Sequence, residues 1–255
     1  MSQSTVTQLR PNIDNWEARC DLAAAFRWTA RLNMHEAVAN HLSLAVSDDG
    51  RKFLMNPNGR HFSKIRASEL LLLDADDPNT MSQPNAPDPT AWDLHGAIHR
   101  NVKGATCILH VHSKYALALA CLADSTLPPI DQNTMRFYGR MIVDEQFDGM
   151  GLGDEAERVS HAYRDNPGKN ILIMGNHGVM VTAPTVAQAF DELYYFERAC
   201  ETYITALSTG KPLRISSDAV AKKTCKQWLD YPGACTLHFN ELKRILDEEG
   251  SDYRR

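Results

Sequence analysis

Residues 107–122 read CILHVHSKYALALACL, an apolar run interrupted near its end by two histidines and followed at once by a second apolar run. The first half reads as a buried strand and the second as a helix, with Ser113 placed to cap that helix. Successive strand residues point to opposite faces, so His110 and His112 project from the same one. The strand therefore ends where the two imidazoles stand, and strand ends are where sites are built.

The rest of the chain supplies the partners such a strand needs. Residues 13–32 place Leu22, Ala25, Phe26, Thr29 and Leu32 at helical spacing. NHLSLAVSDDGRKFLMN alternates about Asp49-Gly50 and predicts a β-hairpin, closed by the turn Pro57-Asn58-Gly59. DADDPNTMSQPNAPDP is a loop by composition and a candidate flap beside a site. A helix follows, read as capped by Thr90 with Asp93 completing a shortened capping box. RMIVDE and NILIMGNHGVMVT read as strands, and Thr185 with Gln188 caps a long helix through Tyr203 that Gly210 ends. One or two terminal helices carry Trp228, Leu229, Leu242 and Ile245. Strands interleaved with helices predict an α/β protein, a three-layer αβα sandwich in which helices cover both faces of the sheet. The expected organisation is one domain over residues 1–210 with a C-terminal helical extension, 211–255, packed on it.

Composition narrows the function classes. Twenty-seven basic against thirty-two acidic residues leave a net charge of −5 without a basic block, so neither nucleic acid nor an anionic membrane is an expected partner. The N-terminus lacks an apolar leader, and the longest apolar run, residues 115–123, is too short to span a bilayer, so a cytoplasmic location is expected. Six scattered cysteines without a CxxC pair, most of them inside apolar runs, read as free structural thiols rather than a disulfide framework. The glycines of DGMGLGDE have the wrong spacing for a dinucleotide fingerprint, and no nucleotide cofactor is expected.

A metal held tightly by protein needs a third ligand besides His110 and His112. His177, flanked by Gly175 and Gly178 in GNHGVMV, is one candidate. His95 and His99, at i and i+4 on a helix, have ligand spacing too. His35, His41, His61, His161 and His238 stand isolated, and spacing alone leaves the choice open.

HVHSKYALALA, preceded by LHGAIH and followed by MGNHGVMV, resembles the class II aldolase/adducin family, with NHLSLAV, FLMNPNGR and LPPIDQN closest to its adducin-type branch. The resemblance implies a mixed, mostly antiparallel sheet within the three layers, a homo-oligomer, often a tetramer, and a site at a subunit interface. It makes His110, His112 and His177 ligands of a divalent metal, zinc first with Fe(II) or Mn(II) as alternatives, and His95 a residue behind them. It also puts Asn58, Gly59, Arg60 and Thr90 at the substrate, and Gln132, Asn133, Arg136 and Tyr138 near the site.

One departure matters. The aldolase branch carries Ser-Ser-Glu at the start of the second helix, where this chain has Pro89-Thr90-Ala91, so the family carboxylate is missing and half of a phosphate cradle with it. Asp93, Glu145 and Tyr138 are the candidates to replace the missing catalytic group. Asn58-Gly59 beside Arg60 can still receive a carboxylate. An open metal site supplies an electron sink, and decarboxylation needs no further base, so the expected function is a metal-dependent lyase of a small hydroxy- or oxo-acid, decarboxylation ahead of aldol cleavage. The rivals are a non-haem Fe(II) oxygenase and a non-catalytic adducin-like interaction module, against which the missing long basic tail counts.

Overall fold

The computed structural model describes residues 13–83, 85–147, 149, 154–231 and 233–255. The first twelve residues, read above as leader-free, and most of the glycine-rich stretch at 148–153 lie outside them. Among the described residues one sheet holds seven strands: β1 (His41–Ala45), β2 (Lys52–Met55), β3 (Leu71–Asp74), β4 (Cys107–Val111), β5 (Met141–Asp144), β6 (Ile171–Met174) and β7 (Gly178–Ala183). Their order is β3-β2-β1-β4-β7-β6-β5, and every pairing is antiparallel except β5 with β6. The expected three-layer α/β sandwich with a mostly antiparallel mixed sheet is thus the observed architecture.

β4 is central and fully buried along its length. Its alternation divides the core: Cys107, Leu109 and Val111 join Leu42 and Leu44 in the larger cluster, beneath α1 (Trp16–Arg31), α3 (Lys114–Ala120) and α6 (Val186–Leu207). Ile108 faces the opposite way, into a smaller cluster with Leu172, Met174 and Met180 beneath α2 (Pro89–Asn101) and α5 (Glu155–Arg164). The β1–β2 hairpin forms where Asp49-Gly50 predicted it, and Gly50 adopts φ +71. A Cβ at Gly50 would stand only 2.1 Å from the His99 carbonyl oxygen, so glycine lets the hairpin tip meet the end of α2.

Two helix starts differ from the sequence reading. The N-cap of α2 is Asp88, which accepts from the Thr90 and Ala91 amides, with Pro89 at the first helical position; Thr90 lies inside the helix. Ser113 occupies the N-cap position of α3 without capping it, and Glu197 of α6 takes the Tyr115 and Ala116 amides instead. A buried carboxylate at a helix N-terminus meets two unpaired amides and the positive end of the dipole, which a serine hydroxyl matches poorly. Thr185 does cap α6, accepting from Gln188 N.

After α6 the chain forms α7 (Asp218–Asp230) and α8 (Ala234–Glu248). Phe239, Leu242, Leu246 and Tyr253 enter the larger core cluster, and the Trp28 indole donates to the Leu242 carbonyl at 2.9 Å. Asp252 takes Arg27 and Arg66, each at 2.7 Å, which fastens the C-terminal turn to α1 and the segment after the hairpin.

Candidate metal centre

β4 delivers His110 and His112 to one face, as its period requires, and brings their Nε2 atoms within 3.2 Å. His177 comes from the three-residue turn between β6 and β7. That turn is tight because Met174 pairs directly with Gly178, and Asn176 takes φ 56. Its amides are anchored: Gly175 N donates to Asp144 O at 2.8 Å and Asn176 N to Ala120 O at 3.0 Å. One ring nitrogen from each of the three histidines lies within 4.8 Å of the others, and no carboxylate oxygen belongs to this group among the described residues.

The donor chemistry fits a divalent transition metal. Burial holds the His110 imidazole well below its usual pKa, and four neighbouring histidines, His41, His177, His112 and His95, add to the effect. Burial also lowers His112, although its bond to Glu36 opposes the shift. Neutral imidazole is the ligand form, and burial favours it at His110 and His112. His112 Nδ1–H donates to Glu36 Oε2 at 2.7 Å, which leaves the Nε2 lone pair facing the shared point. Glu155 Oε1 stands 3.5 Å from the buried Nδ1 of His177, an outer carboxylate on a second ring. Asn40 Oδ1 accepts from both the Glu36 and His112 amides, tying the turn after α1 to the end of β4.

The histidines floor a cavity of about 400 Å³ whose wall includes Glu36, His41, Asp88, Thr90, Leu94, Leu117, Phe147, Glu155 and Asn176. Carboxylates are therefore present after all, but each has a prior engagement: Glu36 with His112, Asp88 with the Thr90 amide and hydroxyl, Glu155 beside His177 with Arg158 3.8 Å away.

Several expected residues lie elsewhere. Of the catalytic candidates, Asp93 faces a groove shared with Arg100, Glu157 and His161 on the outer side of α2, Glu145 is exposed, and Tyr138 is bonded to Asp218 of α7; none lines the cavity. Asn58 and Gly59 are exposed and Arg60 is tied to Glu69 at 2.7 Å, so of the four proposed substrate contacts only Thr90 is on the wall of this chain's cavity. Gln132, Asn133 and Arg136 belong to α4 (Gln132–Arg136), where Arg136 bonds Asp191 and Glu192 and its guanidinium lies 4.6 Å from the Tyr195 ring. Ala91 is fully buried among Phe53, Met55, Leu73 and Ala75, in apolar core and outside the lining of the cavity.

The ligand spacing of His95 and His99 serves another purpose. Both are buried and bonded to β1, His95 to His41 at 2.7 Å and His99 to Ser43 at 2.7 Å. His41 looks isolated along the chain, yet antiparallel register sets it opposite His110, with ring centroids 4.8 Å apart. Asp88 was legible as Asp before Pro at a helix start, whereas Glu36 and Glu155 carry no local signal.

The layers, the sheet order and the three converging histidines define an α/β protein of the class II aldolase type. Residues 20–204 match the Class II Aldolase and Adducin N-terminal domain, and the chain belongs to that family, whose aldolases depend on divalent metals. A solved aldolase II superfamily protein from Pseudomonas syringae is 30% identical and superposes with a TM-score of 0.84 over 97% of this chain and 98% of that one. PA3430 of Pseudomonas aeruginosa, provisionally named an aldolase class 2 protein, is 30% identical over 206 residues, 81% of this chain and 78% of that protein. The decarboxylase NovR of Streptomyces niveus is 27% identical over 207 residues, 80% of this chain and 75% of that enzyme. Among the described residues no helix is long and apolar enough to cross a membrane.

Proposed function

We propose that this chain is a metal-dependent carbon–carbon lyase acting on a small hydroxy- or oxo-acid, with decarboxylation preferred to aldol cleavage. The observation that carries the reading is the convergence of three histidine nitrogens, with no carboxylate among them in the described residues, on a cavity sized for a small molecule. His110, His112 and His177 are the ligands, zinc being favoured by a three-histidine set with an open fourth position and Fe(II) or Mn(II) the alternatives. Bound there, the ion would polarise a carbonyl and accept electron density as the carbon–carbon bond breaks.

The protein's own groups account for the preference. Glu36 fixes the ring of His112, Glu155 stands behind His177, and Asp88 is spent on the α2 N-terminus, so among the described residues that line the cavity each carboxylate is already engaged rather than placed to take a hydroxyl or carbon-bound proton. Decarboxylation places no such demand. Leu94, Leu117 and Phe147 give the cavity an apolar side that keeps water from the reacting carbon. The relation to NovR points the same way. A homo-oligomer, tetramer preferred, belongs to the same reading, and Asn58, Gly59 and Arg60 would then address a neighbour's cavity; light scattering reads the assembly directly.

Metal analysis of the purified protein and of a His110→Ala/His112→Ala variant tests the centre: about one ion per chain is expected in the first and none in the second. Carbon dioxide release without oxygen uptake from 3-oxo acids, with and without a hydroxyl, tests the reaction, because their carbonyl can take the electron pair that the departing carbon dioxide leaves. Full metal content in the double variant, or turnover that consumes oxygen, refutes it.

A further inference from the structure

Behind the three histidines runs a chain of buried polar side chains that metal ligation does not use. His41 Nδ1 meets His95 Nε2 at 2.7 Å, His95 Nδ1 is bonded to Ser43 Oγ, Ser43 Oγ meets His99 Nε2 at 2.7 Å, and His99 Nδ1 reaches the Ala105 carbonyl oxygen at 2.8 Å. None of the four side chains is more than 7% exposed. Among the described residues none of the three rings is hydrogen-bonded to a carboxylate, and a buried imidazole without an anionic partner stays neutral.

The far end of the chain fixes every proton. A carbonyl oxygen only accepts, so His99 carries its proton on Nδ1 and its Nε2 is a lone pair. Ser43 has one hydroxyl proton and gives it to His99, so toward His95 it must accept, which puts the His95 proton on Nδ1. His95 Nε2 is then the acceptor and His41 Nδ1–H the donor. The reverse order would leave two lone pairs facing each other at Ala105. His41 Nε2 is consequently a lone pair, and it has no hydrogen-bond partner among the described residues. His41 lines the cavity, and with Nδ1 committed to His95, Nε2 is the ring nitrogen left to address it.

We propose that His41 is a specificity-determining residue: an obligate hydrogen-bond acceptor that receives a hydroxyl of the substrate seated on the three histidines, and so selects hydroxy acids over acids lacking that hydroxyl. The inference rests on the small-acid reading of the cavity and narrows it to the hydroxy class. The Ser43–His95–His99 relay is its positioning device, because it denies His41 the tautomer that would present a donor.

The test reads tautomers first. In protein labelled with [15N]histidine, metal-free and zinc-loaded, long-range 1H–15N correlation should show His41, His95 and His99 all as Nδ1–H forms, assigned with single-histidine variants. An Nε2–H or charged His41 overturns the inference. Ser43→Ala should let His41 populate the Nε2–H form and Ser43→Thr should restore the lock; an unchanged His41 in Ser43→Ala overturns the relay. With glycolate and acetate as probes of zinc-loaded protein, His41→Phe should lower the glycolate-to-acetate affinity ratio by roughly fivefold, the size of one neutral hydrogen bond. An unchanged ratio overturns the inference. Zinc stoichiometry, measured on the same samples, reports separately on the three-histidine reading, and the metal-free spectrum decides the tautomer question even where a variant fails to fold.

Discussion

Gly178 opens β7 one residue after His177, and a side chain there has nowhere to go. A Cβ at this position would stand 2.8 Å from both His112 Cδ2 and the Val111 carbonyl oxygen, about 0.6 Å inside the 3.4 Å at which ordinary contact begins. Val111 is held in the β4–β7 ladder opposite Val179, so its oxygen cannot retreat without opening the centre of the sheet. The ring of His112 can turn only by stretching its 2.7 Å bond to Glu36. Gly178→Ala should therefore cost both fold and site. Overpacking of this kind costs about 1–3 kcal/mol of stability. Displacement of a ligand ring should weaken zinc by roughly 10–100-fold, the effect of disturbing a ligand's outer support. Urea denaturation of the metal-free variant reads the first quantity and competition with a chromophoric chelator the second. Zinc affinity within about twofold of wild type, on the scale where tenfold is about 1.4 kcal/mol, would refute the argument that His112 bears the strain.

Glu36→Gln removes the charge behind His112 while keeping its shape, and because Glu36 is largely exposed the loss should sit near the lower end of that range, roughly tenfold in zinc affinity by chelator competition, with little change in metal-free stability. An unaltered affinity would show that Glu36 does not orient the ring. Acid should destabilise the metal-free fold earlier than carboxylates alone allow. His41, His95, His99 and His110 all have lowered values in the fold, so below about 6.5 the unfolded chain binds protons that the folded chain refuses, and stability falls with pH until about 4 for His99 and about 3 for His41. Between pH 7.5 and 5.5 the expected loss is on the order of 1 kcal/mol for each histidine. A flat urea-midpoint profile over that interval would mean the rings are charged in the fold.

Local patterns were enough for much of this protein. Period-two alternation put His110 and His112 on one face, Asp49-Gly50 made the hairpin, Thr185 started α6, and strand–helix alternation gave the layers. These follow from chemistry between residues near each other in the chain, where backbone geometry alone decides which side chains meet. Family resemblance, more than spacing, singled out His177 from the other histidines. The failures share one cause. His41 stood isolated until antiparallel register set it beside His110, and His95 and His99 had ligand spacing that β1 turned to another use. Asp93 and Ala91 took their surroundings from the rotation of α2 on the sheet, which a capping pattern does not specify. Glu36 and Glu155 reach the ligands across 76 and 22 residues of chain, and Glu197 displaces Ser113 as a cap across more than 80. Sequence by itself determined which elements form and which imidazoles could face one way. Tertiary structure decided which groups stand behind them, because register and helix rotation are settled only when the whole core closes, and a histidine's proton, charge and lone pair are set by what it then touches.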